Sequence, residues 1–271
     1  MDLGLAGKRV LIAGAGVRPP RPGFGRVAAL KLAAEGARVA CLDFDQDRAE
    51  ATAKEVRDLG GEAIALVADM TKRSDVEGAV ASTVSAFGGL DISINIIGGA
   101  RWGRAYEFDD EDWEWTMETN LRQNFLLFRT AAQQMITQGT GGSMIAVASV
   151  DGFNSSKLHV AYGAAKAGLI SIIKTFGEEL GKFGIRVNGV APGGVGTGNE
   201  GPGESEFGAD PLSPLAKPRT RDIANAIVFF ASNLSERITG LTIPVDGGAT
   251  TKAPLLYSED TLEWAKQFSK G

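Results

Sequence analysis

Short runs of consecutive apolar residues alternate with longer amphipathic stretches along almost the whole 271-residue chain. The runs fall at 9–13, 38–42, 63–68, 91–95, 143–148, 186–191 and 241–246. They are apolar residue after residue, where a strand with one wet face would alternate, and this predicts parallel strands covered on both faces. Parallel neighbours require crossovers of a dozen or more residues, usually helices. Helical periodicity fills the gaps at about 25–35, 46–59, 74–87, 110–138, 161–182 and 220–232. Ser74-Asp-Val-Glu77 has the spacing of a capping box at the third of these. Pro244 has no N–H for a ladder, which places the last strand at a sheet edge. The expected fold is therefore α/β, a single-domain doubly wound parallel sheet of about seven strands with helices on both faces. Neither a composition break nor an internal repeat divides it. The catalytic domain is expected over 1–250, and 251–271 reads as an extension packed on that domain or on a neighbouring subunit.

Several function classes drop out early. A net charge of −5 lacks the basic face of a nucleic-acid binder. No apolar run approaches the roughly 18 residues of a membrane span, and no signal-peptide layout surrounds 10–17. Cys41 and His159 are the only residues of their kinds, which excludes an internal disulfide and a Cys/His zinc cluster. The expectation is a cytoplasmic protein without a metal.

Glycine is in excess, 36 of 271 residues or about 13%, against a usual share of roughly 7%. After the first strand come Gly14-Ala-Gly16, an insertion Val17-Arg-Pro-Pro-Arg-Pro, and Gly23-Phe24-Gly25 opening a helix. Glycines at such a turn let backbone approach a pyrophosphate at the positive end of the helix. Asp43 ends the second strand 18 residues beyond Gly25, where a carboxylate bonds adenosine ribose hydroxyls and repels the 2′-phosphate of NADP. These residues favour NAD. Arg18 and Arg21 in the insertion keep NADP as the alternative.

Tyr162 and Lys166 stand four residues apart on a predicted helix, hence on one face. An ammonium there is expected to lower the phenol pKa and let the tyrosine exchange a proton with an alcohol oxygen. Ser149 follows the strand 143–148, at the carboxyl end where such folds bind ligands. Asn120 sits inside the amphipathic segment 113–136, where an asparagine is unfavourable unless it makes a specific hydrogen bond.

These residues, with Asp69-Met70, Asn95-Ile-Ile-Gly98, Pro192-Gly-x-Val-x-Thr197 and Val245-Asp-Gly-Gly248, resemble the short-chain dehydrogenase/reductase family over about 5–250. The gap of 13 residues from Ser149 to Tyr162 and the Pro-Gly-x-Val-x-Thr element are its specific marks. The resemblance implies a Rossmann-type fold and a nicotinamide cofactor. It makes Tyr162 the general acid/base, Lys166 the group that lowers its pKa and holds the nicotinamide ribose, Ser149 the group that orients the substrate oxygen, and Asn120 the support of a relay water. It also implies that Asp69 and Met70 contact adenine, that Asn95 and Gly98 flank the cofactor, and that Pro192, Gly193, Val195 and Thr197 hold the carboxamide.

Two features depart from the pattern. The first turn is five residues longer than usual, and Asn95-Ile-Ile-Gly98 replaces Asn-Asn-Ala-Gly. The long turn is similar to that of enoyl-thioester reductases, but those use Tyr-x6-Lys, and the residue seven beyond Tyr162 is Leu169. Carbonyl or alcohol chemistry is therefore favoured.

The glycine-rich stretch 193–219 reads as a substrate lid, with Glu200, Glu204, Glu206 and Asp210 opposing an anionic substrate. The resemblance places Trp102, Phe153, His159 and Phe207 around the substrate, which suits a hydrophobic ring. His159 reads as a loop hydrogen-bonder, and Trp113 and Trp115 as packing at a helix start. The expected partners are a small alcohol or ketone and further copies of the chain, as a homotetramer through 110–138 and 161–182. The expected activity is NAD(H)-dependent hydride transfer. The alternatives are an NADPH-dependent carbonyl reductase and a non-catalytic dinucleotide-binding regulator.

Overall fold

A computed structural model describes residues 2–17, 23–195 and 213–251. Seven parallel strands form one sheet: β1 Arg9–Ala13, β2 Arg38–Asp43, β3 Glu62–Val67, β4 Ile92–Asn95, β5 Gly142–Val147, β6 Ile185–Pro192 and β7 Thr242–Val245. Their order is β3-β2-β1-β4-β5-β6-β7, so the winding reverses between β1 and β4. Pro244 lies in β7, which among the described residues pairs only with β6, in keeping with its missing N–H.

The register of β1 explains its unbroken apolar run. Val10 and Ile12 enter one buried cluster, and Leu11 and Ala13 enter the other. The first cluster is shared with α1 (Phe24–Ala34), α2 (Gln46–Asp58) and α7 (Thr220–Ala231). The second is shared with α3 (Arg73–Phe87), α5 (Gln123–Gln138) and α6 (Val160–Leu180). Both sheet faces are thus covered, and each fully buried Leu or Ile side chain contributes about 1.5–3 kcal/mol.

Two local expectations are corrected. Ser74 does not cap α3. The helix already begins at Arg73, its N-cap is Lys72 without a side-chain bond, and the Ser74 hydroxyl donates to Asp75 Oδ1 instead. The predicted helix 110–138 is interrupted: α4 (Asp110–Met117) passes into a π-helical turn, Glu118–Arg122, before α5. A π-turn widens the backbone ladder by one residue and often accompanies function. Asn120 lies within it.

Among the described residues no helix is long and apolar enough to cross a membrane, and no cluster of three or more His, Cys, Asp or Glu could hold a metal ion. Residues 196–212 of the expected lid at 193–219, the insertion at 18–22 with Arg18 and Arg21, and the tail from 252 lie outside the described residues, as do Thr197 and Phe207.

Candidate active site

In a doubly wound sheet the loops at the strand carboxyl ends diverge where the winding reverses, and this opens a crevice. Gly14 follows β1, Asp43 ends β2, Asn95 ends β4, Ser149 follows β5 and Pro192 ends β6. A cleft of about 620 Å³ opens there, with Phe24, Gly98, Ser149, Tyr162, Lys166 and Pro192 in its walls. A second cavity of about 460 Å³ lies at the opposite, amino end of β5 and β6, around Arg186 and Thr239, away from all of these groups.

The glycine turn is built for close backbone approach. Gly14 has φ 88°, and its N–H donates to the Leu42 carbonyl at 2.9 Å. Gly23 has φ 64° and caps α1 with no side-chain bond. A Cβ on Gly25 would overlap the Gly14 carbonyl oxygen, and one on Gly16 would overlap the Asp43 carboxylate. The start of α1 therefore presents bare amides beside the β1 turn, with the Asp43 carboxylate next to Gly16. That donor set fits a dinucleotide diphosphate and ribose. Asp69 lies at the same end of the sheet. Its carboxylate accepts from the Thr71 amide and hydroxyl, and the hydroxyl bond does most to hold its pKa below the usual carboxylate value.

Two predicted cofactor residues point elsewhere. The Met70 side chain is packed in the core, so only its backbone is open to a ligand. Asn95 is buried too, and its Oδ1 accepts from the Ile97 amide at 3.1 Å. It holds the turn after β4 rather than facing the cleft. Gln123 clamps the same turn by donating Nε2 to the Ile97 carbonyl at 3.0 Å.

Asn120 makes the bonds its position demanded. Its Oδ1 accepts from the Gly99 amide at 3.2 Å, while Nδ2 donates to the carbonyls of Gly99 (2.7 Å) and Thr116 (2.9 Å). Both amide hydrogens are engaged, which leaves one lone pair of Oδ1 for any water. The side chain is first a stitch between the π-turn and the loop after β4. That loop must carry glycine: a Cβ on Gly98 would lie 2.8 Å from Asn120 Oδ1 and 3.3 Å from Lys166 Nζ.

Ser149 caps a single 3₁₀ turn, Val150–Gly152, and accepts from the Asp151 amide at 3.2 Å. Its hydroxyl is also the neighbour that most favours ionisation of the Tyr162 phenol. One turn further along α6, buried Lys166 donates Nζ to the Val147 carbonyl at 2.9 Å. Burial pushes the Lys166 pKa down to about 8.

The expected fall in the Tyr162 pKa is not found. Burial raises it above the ordinary value, the Asp151 carboxylate adds to the rise, and the neighbouring Ser149 hydroxyl opposes both. The Lys166 ammonium lies 5.5 Å from the centre of the tyrosine ring and is bonded to a backbone carbonyl, which leaves desolvation the larger effect. Tyr162 therefore stands as a protonated phenol at neutral pH.

Of the predicted aromatic lining, Trp102 and His159 are in the cleft wall, whereas Phe153 is not among its residues. Trp115 packs on Gly99, whose Cβ would lie 2.7 Å from the indole. Asp151 and Ser156 also line the cleft. Nothing in their sequence spacing marked them, because a loop rather than a helix or strand brings them in.

Fold and cleft together define the class: a doubly wound sheet with a dinucleotide cradle at the point where its winding reverses. Comparison with known proteins makes this specific. Residues 20–250 match the family model described as enoyl-(acyl carrier protein) reductase. An L-rhamnose 1-dehydrogenase (NAD(P)(+)) from Azotobacter vinelandii is 34% identical over 255 residues, covering 90% of this chain and 97% of the relative. The 3-oxoacyl-[acyl-carrier-protein] reductase FabG of Thermotoga maritima is 33% identical over 249 residues, covering 90% and 98%. The crystal structure of a putative short-chain dehydrogenase/reductase from Burkholderia xenovorans superposes with TM-score 0.81 at 32% identity, covering 92% of this chain and 98% of that one. The chain belongs to the short-chain dehydrogenase/reductase family and is an oxidoreductase.

Proposed function

We propose that the protein moves a hydride between NAD(H) and a secondary alcohol or ketone, with a hydrophobic ring as the preferred substrate frame. The observation that carries this reading is the meeting of Ser149, Tyr162 and Lys166 in one cleft, which also takes in Phe24 at the start of α1. The nicotinamide, when bound, supplies or accepts the hydride. Amides of the Gly14–Gly25 turn bind the pyrophosphate, Asp43 the adenosine ribose, and Asp69 with the Met70 backbone the adenine. Lys166 offers its two remaining N–H groups to the second ribose, and Pro192, Gly193 and Val195 receive the carboxamide. Ser149 holds the reacting oxygen, and Tyr162 gives it a proton in reduction and takes one in oxidation. Leu169 at the seventh position after Tyr162 supports carbonyl chemistry over alkene reduction. Further copies of the chain, as a homotetramer, complete the reading.

The raised phenol pKa sets the pH dependence. Oxidation needs the deprotonated Tyr162, so its rate climbs through the alkaline range, while reduction is supported at neutral pH. Initial rates in both directions across that range check this, and an oxidation rate that falls as pH rises contradicts it.

The alternative, NADPH, is favoured by Arg48 on the first turn of α2. It packs beside Gly16, with its guanidinium over Phe44 and 3.4 Å from Asp45. Asp43→Ala decides between the two. A carboxylate facing a 2′-phosphate is worth about 1–3 kcal/mol of repulsion at a wet surface, so the kcat/KM ratio of NADP to NAD should rise roughly 10–100-fold. An unchanged ratio shows that another group reads the ribose.

A further inference from the structure

The cleft wall holds a hydrogen-bonded pair that hydride transfer does not use. Asp151 accepts from His159 Nδ1 at 2.5 Å and from the Ser156 hydroxyl at 2.5 Å. The His159 and Asp151 side chains are only 13% and 11% exposed. The imidazole packs against two rings, with centroids 3.9 Å away for Trp102 and 5.3 Å away for the reacting Tyr162.

Its second nitrogen, Nε2, is buried without a hydrogen-bond partner among the described residues. Among the described residues it is the only such side-chain atom in the cleft wall. A buried polar atom left unpaired is unfavourable, and folded proteins keep few of them. The backbone beside it carries a second unfavourable feature. Leu158 has φ 68°, in the left-handed region that a leucine rarely adopts, and its carbonyl is held by the Gly103 amide at 3.1 Å. Two disfavoured features thus converge on one ring, in contact with the catalytic tyrosine.

We infer that Asp151 and His159 form a substrate-positioning pair that selects alcohols and ketones carrying a second hydroxyl on the carbon next to the reacting one. The inference rests on the oxidoreductase reading above and names its substrate class. Asp151 fixes the ring by accepting a hydrogen bond from Nδ1–H. The neutral ring then presents a lone pair at Nε2, and the protonated ring presents an N–H. A hydroxyl can donate to the first and accept from the second, whereas an ether or carbonyl oxygen serves only the second. Tyr162 and Ser149 engage the reacting oxygen while His159 Nε2 engages its neighbour. Trp102 covers the ring and supplies the apolar side of the same subsite.

The test compares reduction of 2-hydroxycyclohexanone with that of cyclohexanone, with NADH and NADPH both offered. A site that hydrogen-bonds a substrate hydroxyl discriminates against the analogue lacking it, so the parent protein should favour the hydroxy ketone roughly 10–100-fold in kcat/KM. In His159→Phe this ratio should collapse towards one, mainly through a higher KM for the hydroxy ketone. In His159→Gln, whose amide reaches the position of Nε2, part of the preference should return. NADH binding, followed by fluorescence, reports whether each variant is folded. If His159→Phe fails to bind NADH, the ratio in His159→Gln decides, and it must fall below that of the parent. A parent ratio near one, or a ratio that survives the substitution, overturns the inference and leaves the oxidoreductase reading standing. Lack of turnover with either ketone overturns both.

Discussion

Tyr162→Phe should lower turnover by about 10²–10⁴-fold, the usual contribution of a positioned general acid, with NADH binding close to that of the parent. The change removes one oxygen from a largely buried ring and leaves its apolar contacts in place. The lost atom is the phenol oxygen beside Ser149, whose proton burial holds in place. Ser149 keeps its bond from the Asp151 amide at 3.2 Å, so the wall around it persists. Initial rates and a fluorescence titration on the same preparation separate chemistry from binding. Activity near the parent level would show that another group handles the proton.

Lys166→Met should have two effects of opposite sign. Turnover should drop by about 10²-fold or more as the cation in the cleft wall beside Tyr162 is removed. Stability at neutral pH should nevertheless rise. Burial lowers the Lys166 pKa from 10.5 to about 8, and each unit is worth about 1.4 kcal/mol. Folding the charged lysine thus costs about 3 kcal/mol below the folded-state pKa. The hydrogen bond to the Val147 carbonyl opposes this cost, and the variant should be the more stable of the two at neutral pH. The sign follows from proton counts. Between about 8 and 10.5 the unfolded chain holds a proton that the folded chain has lost, so the parent gains stability as pH rises through that window. Above it the penalty is gone, and below it the penalty is complete. The methionine variant lacks this slope, so its advantage should fade in alkaline urea titrations. A variant less stable than the parent at neutral pH would show that the hydrogen bond outweighs the buried charge.

The strands were legible because burial on both faces makes most of their residues apolar, with a few buried polar ones such as Ser93 and Asn188 among them. Predicted strands such as 9–13 and 38–42 meet the observed Arg9–Ala13 and Arg38–Asp43 within a residue. The break at Glu118–Arg122 was not legible, since a π-turn has no periodicity of its own and is held by Asn120 reaching across to Gly99. The unusual position of Asn120 did predict that it made specific bonds, though not where those bonds would go. Helical spacing put Tyr162 and Lys166 on one face, but the direction of the phenol shift depends on burial, which spacing does not carry. Asp151 and His159 meet across an irregular loop, and only folding brings them together. Asn95 looked like a cofactor residue from its place at a strand end, and yet its side chain turns inward to bond the Ile97 amide.

The most direct test of the central reading follows the hydride itself. NADH and NADPH deuterated at the transferred position of the nicotinamide are each offered with a cyclic ketone, and the product is analysed by mass spectrometry and NMR. The account predicts one deuterium on the carbinol carbon of the alcohol product, formed faster from NADH, with the transfer lost in Tyr162→Phe. Cofactor binding without any transfer to the ketone, or transfer that persists undiminished in Tyr162→Phe, would contradict it.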